Sequence, residues 1–317
     1  MKFTQFPRSR SRLTLGFIIA SVWPLTCVLS SLSTLIASEP LAKGIQDNSF
    51  FIEEAYNQEP GVVQYIFNLP IDFTNGSREV APSFTQEWPL FSQTHQVSYT
   101  IPYVFTEDDN GMADMRLNYR VQALVEDKYT PAFAPRLSLV LPTGDQSEGL
   151  GAGVVGYEFN LPFSKIVSDR WTLHFNAGMS IFPNAHQSRH LTNYNVGVSA
   201  IYALSRDFNL MLESLAGWNE DIAEGVFAFE ETVDRTTTAI ISPGTRYAFN
   251  LPNDAQLVVG AAFPIGLIPD SPVLLLIRTS LCASRRWPNE MTSRTILRRK
   301  FAFSLFPLRL TREQSAH

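Results

Sequence analysis

Long stretches of this sequence alternate polar and apolar residues one by one, and this period constrains the fold more than any other feature. From Asp114 to Ala123, every polar residue is followed by an apolar one. The same pattern recurs over residues 96–103, 171–181 and 194–202. Successive side chains of a strand point to opposite faces, whereas a helix would scatter these residues around its axis. The sequence therefore predicts antiparallel β-structure with one polar and one apolar face.

Two architectures produce such alternation: a water-soluble sandwich or barrel with its apolar face inside, and a transmembrane barrel with its apolar face outside. The segments run to about ten residues, which is the span of a tilted transmembrane strand. Short turns at 205–207 and 251–254 alternate with longer polar loops such as 219–235, as in transmembrane barrels. Aromatic residues also mark the predicted strand ends, as in membrane girdles. One girdle comprises Tyr157, Phe159, Trp171, Tyr202, Phe208, Tyr247 and Phe249, and the other Tyr103, Tyr194 and Trp218.

The fold predicted from these features is an all-β, transmembrane, antiparallel up-and-down barrel of about twelve strands. An even number of strands returns both chain ends to the same side of the membrane, and closure leaves no unpaired edge in lipid. The predicted strands are 62–73, 82–90, 94–105, 112–125, 133–142, 152–161, 170–182, 192–203, 207–218, 236–250, 255–266 and 272–281.

The tetrapeptide FNLP occurs three times, at 67–70, 159–162 and 249–252. Proline has no N–H for a strand ladder, and asparagine suits turns. We therefore expect the second and third copies to end the sixth and tenth strands at the periplasmic rim. The first copy falls inside a strand.

The two ends of the chain differ from the body. Arginines precede an apolar segment over residues 13–37, which predicts a signal peptide over 1–42 with cleavage near Ala37 or Ala42. A permanent membrane anchor is the alternative. Residues 43–281 are assigned to the barrel. Residues 282–317 form an atypical basic tail, read either as a genuine extension or, as we favour, as a disordered or frameshifted sequence.

Several segments resemble the outer-membrane β-barrel family described as "Putative MetA-pathway of phenol degradation". The matching stretches are IPYVF (Ile101–Phe105), LNYRV (Leu117–Val121), LPTGD (Leu141–Asp145), LGAGVVGYEF (Leu150–Phe159), VGVSAIYAL (Val196–Leu204), RDFNLMLES (Arg206–Ser214) and SPGTRYAFN (Ser242–Asn250). The resemblance implies a closed outer-membrane barrel that moves small compounds, including aromatic or hydrophobic ones. It offers no catalytic residues or cofactor. The chain departs from the family at its end, where His317 stands in place of a terminal aromatic residue.

If the apolar residues face lipid, the polar residues of the same strands line the lumen. By parity the lumen residues are Gln96, Asp114, Arg116, Arg120, Arg136, Glu158, His174, Glu213 and Arg246. Arginines opposite carboxylates can form a constriction that selects solutes. They can equally form an ion-pair network that holds the barrel shape and seals it, and both interpretations remain open. His174 is read as a hydrogen-bonded wall residue.

Composition limits the partners and the chemistry. From Lys43 to Ile277 the chain has 12 Lys+Arg against 27 Asp+Glu, and this acidic body argues against nucleic acid as its main partner. It contains no nucleophile-elbow, zinc-protease, phosphate-loop or dinucleotide motif, so we predict no enzyme, no cofactor and no metal site. With only Cys27 and Cys282, no disulfide framework is expected.

The expected location is the outer membrane of a Gram-negative bacterium, and the expected partners are outer-membrane lipid and lipopolysaccharide, the barrel-assembly machinery and a small-molecule solute. Acidic loop residues could bind lipopolysaccharide phosphates through divalent cations. They are Glu107, Asp108, Asp109, Asp145, Glu148, Glu220, Asp221, Glu224, Glu230, Glu231 and Asp234. The leading hypothesis is a barrel that passes small molecules. The alternatives are a non-conducting structural or lipid-contacting barrel and a soluble exported β-protein.

Overall fold

The computed structural model describes residues 45, 49–73, 78–106, 110–186, 189–224, 231–252, 255–269 and 271–284. The predicted signal peptide, the basic tail beyond residue 284 and the acidic residues at 107–109 and 230 lie outside these ranges. Among the described residues, no helix has the length and apolar character needed to cross a membrane.

The described chain is built from strands in one antiparallel sheet. They are β1 (Val62–Asp72), β2 (Glu79–Val80), β3 (Ser83–Leu90), β4 (Ser92–Phe105), β5 (Asn110–Met112), β6 (Met115–Val121), β7 (Ala132–Phe133), β8 (Arg136–Leu141), β9 (Gly156–Ile166), β10 (Trp171–His186), β11 (Arg189–Ala203), β12 (Phe208–Glu224), β13 (Glu231–Asn250), β14 (Gln256–Ala262), β15 (Ile265–Gly266) and β16 (Leu274–Ser284).

The sheet closes on itself as a barrel. Apart from four short strands, each strand pairs with the next one along the chain, and β1 pairs with β16 along its whole length, from Val62 opposite Ser284 to Asp72 opposite Leu274. Each of four short strands lies in line with the next or previous strand: β2 with β3, β5 with β6, β7 with β8 and β15 with β14. The described part of the wall therefore has twelve strands. This confirms the predicted barrel and its strand number.

The two faces of the wall have opposite character. On the outside, Leu173, Phe175 and Leu212 are 42%, 39% and 48% exposed. The alternate residues of the same strands, such as Asn176 and Glu213, are buried inside the barrel. The predicted orientation, with apolar residues outward and polar residues inward, is the one observed.

One end of the barrel, called here the short-turn end, carries the tightest connections. Phe91 alone joins β3 to β4, residues 167–170 and 204–207 make two further turns there, and β13 ends and β14 begins at the same end. Aromatic rings meet at this end as predicted: Trp171 lies 5.0 Å from Tyr202, and Tyr247 lies 4.8 Å from Phe249, centroid to centroid.

Strand β9 lies further along the chain than predicted, at 156–166 instead of 152–161. Tyr157 pairs with Ile181, away from the short-turn end, so Tyr157 and Phe159 do not belong to the girdle there. The second FNLP copy lies inside β9 and does not end it. Pro162 is tolerated because its missing N–H faces the interruption between β7 and β8, where the Pro162 carbonyl accepts the Ala134 N–H at 3.3 Å. The third copy does end a strand, since β13 stops at Asn250.

Two strand pairs are longer than predicted. The expected loop at 219–235 is mostly a hairpin, in which β12 and β13 stay paired from Asn219 opposite Thr236 to Glu224 opposite Glu231. Strand β16 continues through Ser284, three residues beyond the predicted end. In both places the cross-strand ladder extends into sequence that composition alone marks as loop or tail.

Candidate functional site

A segment of the chain itself lies inside the barrel. Residues 49–58, called here the inner segment, precede β1 and bond to inward side chains from strands on opposite sides of the wall. After the segment, the Val62 N–H donates to Glu59 O at 3.0 Å, and Gly61 takes a φ of 83°. Proline followed by glycine in such a turn reverses the chain sharply. The turn carries the chain from the lumen into the wall.

Glu213 of β12 holds the start of the inner segment. Its carboxylate accepts the backbone N–H groups of Phe50, Phe51 and Ile52 at 3.1–3.4 Å. The side chain is 1% exposed, and its two oxygens lie against three consecutive amides. These bonds fix the backbone of residues 50–52 against β12.

Two arginines bind the carbonyl side of the same stretch. Arg246 Nη2 and Arg278 Nη1 donate to Ser49 O at 2.6 and 2.7 Å. The Arg246 guanidinium also lies 4.2 Å from the centroid of the Phe50 ring, in a cation–π contact. The backbone is therefore bound on both its donor and its acceptor sides.

Part of the lumen is apolar, which the prediction of a polar lumen missed. Phe50 is 8% exposed and packs against inward side chains of four strands. These side chains are Ile201, Met211, Ala262 and Leu276. Ile45 packs in a similar way against Ala248 and Val258. These inward apolar side chains are shielded from water because Phe50 and Ile45 of the same chain pack on them.

Glu53 lies at the centre of the charged part of the site. Its Oε1 accepts from Arg120 Nη1 at 3.0 Å, and its Oε2 accepts from Arg136 Nε at 2.8 Å and Asn160 Nδ2 at 2.6 Å. In the amide orientation that satisfies both groups, Asn176 bonds the Glu53 backbone, donating to its O at 2.9 Å and accepting from its N at 2.6 Å.

The charge state of Glu53 follows from these contacts. Burial alone raises the pKa of the Glu53 carboxyl, but the Arg136 and Arg120 guanidiniums and the Asn160 amide outweigh it. Together they lower the pKa from 4.5 to about 2. Glu53 is therefore a carboxylate at neutral pH.

The remaining N–H groups of Arg120 also donate to the inner segment. Its Nε donates to Asn57 Oδ1 at 2.7 Å, its Nη2 to Tyr56 O at 2.8 Å and its Nη1 also to Glu54 O at 3.1 Å. The side chain is 6% exposed. All of the acceptors found for this buried cation thus belong to the inner segment.

The end of the segment is held by polar wall residues near the short-turn end. The Asn57 N–H donates to Gln122 Oε1 at 2.9 Å, and the Gln58 N–H to Gln96 Oε1 at 2.7 Å. The Tyr56 hydroxyl donates to Glu126 at 2.6 Å, and burial together with this bond raises its pKa.

His174 of β10 supports the segment indirectly. Its Nδ1 lies 2.6 Å from Ser164 Oγ, and that hydroxyl accepts the Ala55 N–H at 2.8 Å. The imidazole also meets the Tyr56 ring edge-on at 6.3 Å. These contacts fit the predicted reading of His174 as a wall residue.

The predicted lumen residues fall into three groups. Arg120, Arg136, Glu213 and Arg246, with Gln96, contact the inner segment directly, and His174 contacts it through the Tyr56 ring. Arg116 Nε pairs with Glu158 at 3.0 Å, while Arg136 lies 3.6 Å from the same carboxylate. Asp114 accepts the Gly144 and Ala152 N–H groups at 2.9 and 2.8 Å, so it holds the connection 142–155 at the other end of the barrel.

The inner segment itself, Asn160, Asn176 and Arg278 were not predicted as site residues. The sequence around 49–58 has no strand period, so parity could not place it. One signal was present: the predicted lumen holds more arginines than carboxylates, and Arg278 has the parity of the inward residues of β16. A surplus of inward cations calls for an anion from elsewhere in the chain, and Glu53 supplies it.

Comparison with protein-family models matches residues 54–264 to the family described as "Putative MetA-pathway of phenol degradation". Comparison with curated proteins finds no match. Among solved structures, the chain is similar to an outer-membrane channel from Pseudomonas putida F1, with 11% identity and a TM-score of 0.55, covering 74% of this chain and 99% of that one. It is also similar to the NanC porin (7% identity, TM-score 0.44, coverage 70% and 99%) and the KdgM porin (8%, 0.41, 70% and 99%). At 11% identity, the likeness to the channel supports the barrel fold.

Proposed function

Since the chain belongs to the family described as "Putative MetA-pathway of phenol degradation", we propose that it is an outer-membrane channel for small molecules, gated by its inner segment. The observation that carries the proposal is the segment's position. It lies across the lumen and is bonded to opposite walls, so a solute passes only when the segment moves.

The outer surface supports a membrane location. Apolar side chains such as Leu173, Phe175 and Leu212 cover the outside of the wall, where water would be an unfavourable neighbour. Aromatic pairs at the short-turn end suit a lipid–water boundary. We propose the outer membrane as the location and lipid as the direct partner of this surface. Contact with lipopolysaccharide and with the assembly machinery remains a prediction from the sequence.

The lining of the lumen suggests which compounds pass. Phe50 fills a pocket of inward apolar side chains beside the Arg246 guanidinium. Once the segment moves, the same pocket offers an apolar wall and a cation to an aromatic ring. We therefore propose that small compounds with aromatic or hydrophobic parts are among the solutes, and that the protein transports rather than catalyses.

The second candidate is a barrel that stays closed and has a structural role. The dense bonding of the inner segment favours it, because Glu213, Arg120 and Arg246 bind the backbone as firmly as a structural core would. The two candidates differ in one property, which is whether the segment must move for ions to cross.

A reversible lock tests this property. Ala55 of the inner segment packs against Ala132 of the wall, and both are completely buried. We expect the Ala55→Cys, Ala132→Cys double variant to form a disulfide on oxidation, because both positions belong to one buried cluster. After reconstitution into planar bilayers, the reduced protein should show discrete openings and the oxidised protein none.

The control is Ala55→Cys alone, whose conductance should not depend on the redox state. Equal conductance of the oxidised and reduced double variant would show that the segment is not the gate. Absence of openings in every folded form, judged by electrophoretic mobility before and after boiling, would favour the closed structural barrel.

A further inference from the structure

We propose that Arg120, Arg136 and Asn160, called here the carboxylate clamp, bind the carboxylate of a transported solute, and that Glu53 occupies this site in the closed state. The inference rests on the proposed function, because a solute reaches the clamp only when the inner segment gives way. It adds a chemical class of solute, namely small carboxylates.

The register of the wall strands places the three residues of the clamp side by side. Arg120 of β6 lies directly opposite Arg136 of β8, and Arg136 lies directly opposite Asn160 of β9. Three donor side chains from three neighbouring strands thus form one row across the inner face. Cross-strand neighbours on one face stand about 5 Å apart, so a single small anion can meet all three.

The row is unfavourable without an anion. Like charges directly opposite each other destabilise a sheet, and both arginines are largely buried. Glu158 lies 3.6 Å from Arg136, so it offsets the charge of Arg136 but not that of Arg120. Among the described residues, the ion pair found for Arg120 is with Glu53. When Glu53 leaves, a replacement anion is needed to keep Arg120 buried.

The geometry selects a carboxylate. Each guanidinium takes a different oxygen of Glu53, and the Asn160 amide shares the oxygen that Arg136 takes. A planar group with two negative oxygens fits this arrangement, whereas a neutral amide of the same shape would place an NH₂ group against a cation. The clamp should therefore separate benzoate from benzamide, which differ in charge but hardly in size.

Competition for one site has a measurable consequence. If benzoate and Glu53 exclude each other, benzoate must shift the inner segment toward its released state, since binding equilibria that share a site are linked. Ile52 adjoins Glu53, is 1% exposed and faces Gly197 of the wall. A thiol at position 52 becomes reactive only when this part of the segment leaves the wall.

The experiment is thiol labelling of the folded, detergent-solubilised full chain carrying Ile52→Cys, with the unsubstituted chain as the background for Cys27 and Cys282. We expect benzoate to raise the labelling rate in a saturable manner by about tenfold, within the range typical of coupled sites. Benzamide at equal concentration should leave the rate unchanged. An equal response to both compounds, or no response to benzoate, overturns the proposal.

A matched pair of variants locates the effect. Arg136→Gln in the Ile52→Cys background removes one arm of the clamp, and the benzoate response should disappear. Arg116→Gln removes a lumen arginine that pairs with Glu158 outside the clamp, and the response should persist. Retention of the response in Arg136→Gln would overturn the proposal. The channel proposal is tested separately, because a benzoate response without any conductance would reject transport and leave the clamp intact.

Discussion

Replacing Phe50 by alanine should release the inner segment more than any other truncation within it. The ring is 8% exposed, packs on Ile201, Met211, Ala262 and Leu276 from four strands, and carries the Arg246 guanidinium 4.2 Å from its centroid. Released into an open lumen, this ring would be surrounded by water. The change therefore acts on the closed state of the segment and leaves the backbone ladder of the barrel untouched.

Two contributions set the free energy that the closed state of the inner segment loses in Phe50→Ala. Burial of a phenylalanine side chain is worth about 1.5–3 kcal/mol. A desolvated cation–π contact adds about 0.5–2 kcal/mol. Water can enter part of the vacated space, so we expect a loss near the middle of the sum, about 3 kcal/mol. At about 1.4 kcal/mol for each factor of ten, the released fraction should rise about a hundredfold.

The assay is the labelling rate of Ile52→Cys in the Phe50→Ala background, compared with the Phe51→Ala background. Phe51 undergoes the same chemical change one residue away, but its side chain only flanks the cluster that Phe50 fills. We expect its effect to stay within about tenfold of the parent.

Equal labelling in the Phe50→Ala and Phe51→Ala backgrounds would refute the reasoning, since it would mean that the apolar side of the lumen does not hold the segment. An altered mobility shift on boiling would show instead that Phe50 supports the barrel wall.

Three other outcomes are expected. Because the pKa of Glu53 is lowered from 4.5 to about 2, its ion pairs are complete above pH 4.5 and are lost as the pH falls through 2. Channel opening should rise over that interval and stay flat in Glu53→Gln. A Cβ on Gly197 would overlap Ile52 Cδ1, so Gly197→Ala should speed hydrogen exchange of the inner segment; unchanged exchange would contradict the packing. A chain ending at Ser284 should give more heat-shifted, folded barrel than one ending at Leu281, which loses three pairs with β1; equal yields would show that those pairs are dispensable.

The strands of the wall could be predicted from the sequence because the alternation that identifies each strand lies within the strand itself. Each strand must place every second side chain in an apolar setting, so the alternation from Asp114 to Ala123 identifies both the strand and its inward face. The same parity placed Arg120, Arg136, Glu213 and Arg246 inside the barrel. Strand ends were less predictable, since a ladder continues wherever the partner strand offers a free edge, as at 219–235.

Predictions made from single residues were wrong where the effect of the residue depends on the neighbouring strand. Pro162 was read as a strand end, yet β9 continues through it because β7 and β8 are interrupted on the side that lacks the N–H. Tyr157 was placed at the wrong end for the same reason, since the shift of β9 moves its whole aromatic set along the barrel axis.

The inner segment could not be predicted from period at all. Its backbone is satisfied by side chains such as Glu213 and Arg278, far away in the sequence, and no local pattern records such bonds. Only the charge balance of the lumen carried information about it. The predicted lumen holds more arginines than carboxylates, but this surplus does not identify the residue that balances it.

The turn between the inner segment and β1 sets how far the segment can travel. Only Glu59, Pro60 and Gly61 separate Gln58 from the first wall residue, Val62, and the turn is closed by its own hydrogen bond. The segment is thus a tethered ligand whose effective concentration at its own site stays in the millimolar range or above. In the proposed channel, a solute must compete with that concentration, and the segment rebinds without a search once the solute has passed. The proposed closed state is then the resting state, because the segment that occupies the site is never diluted.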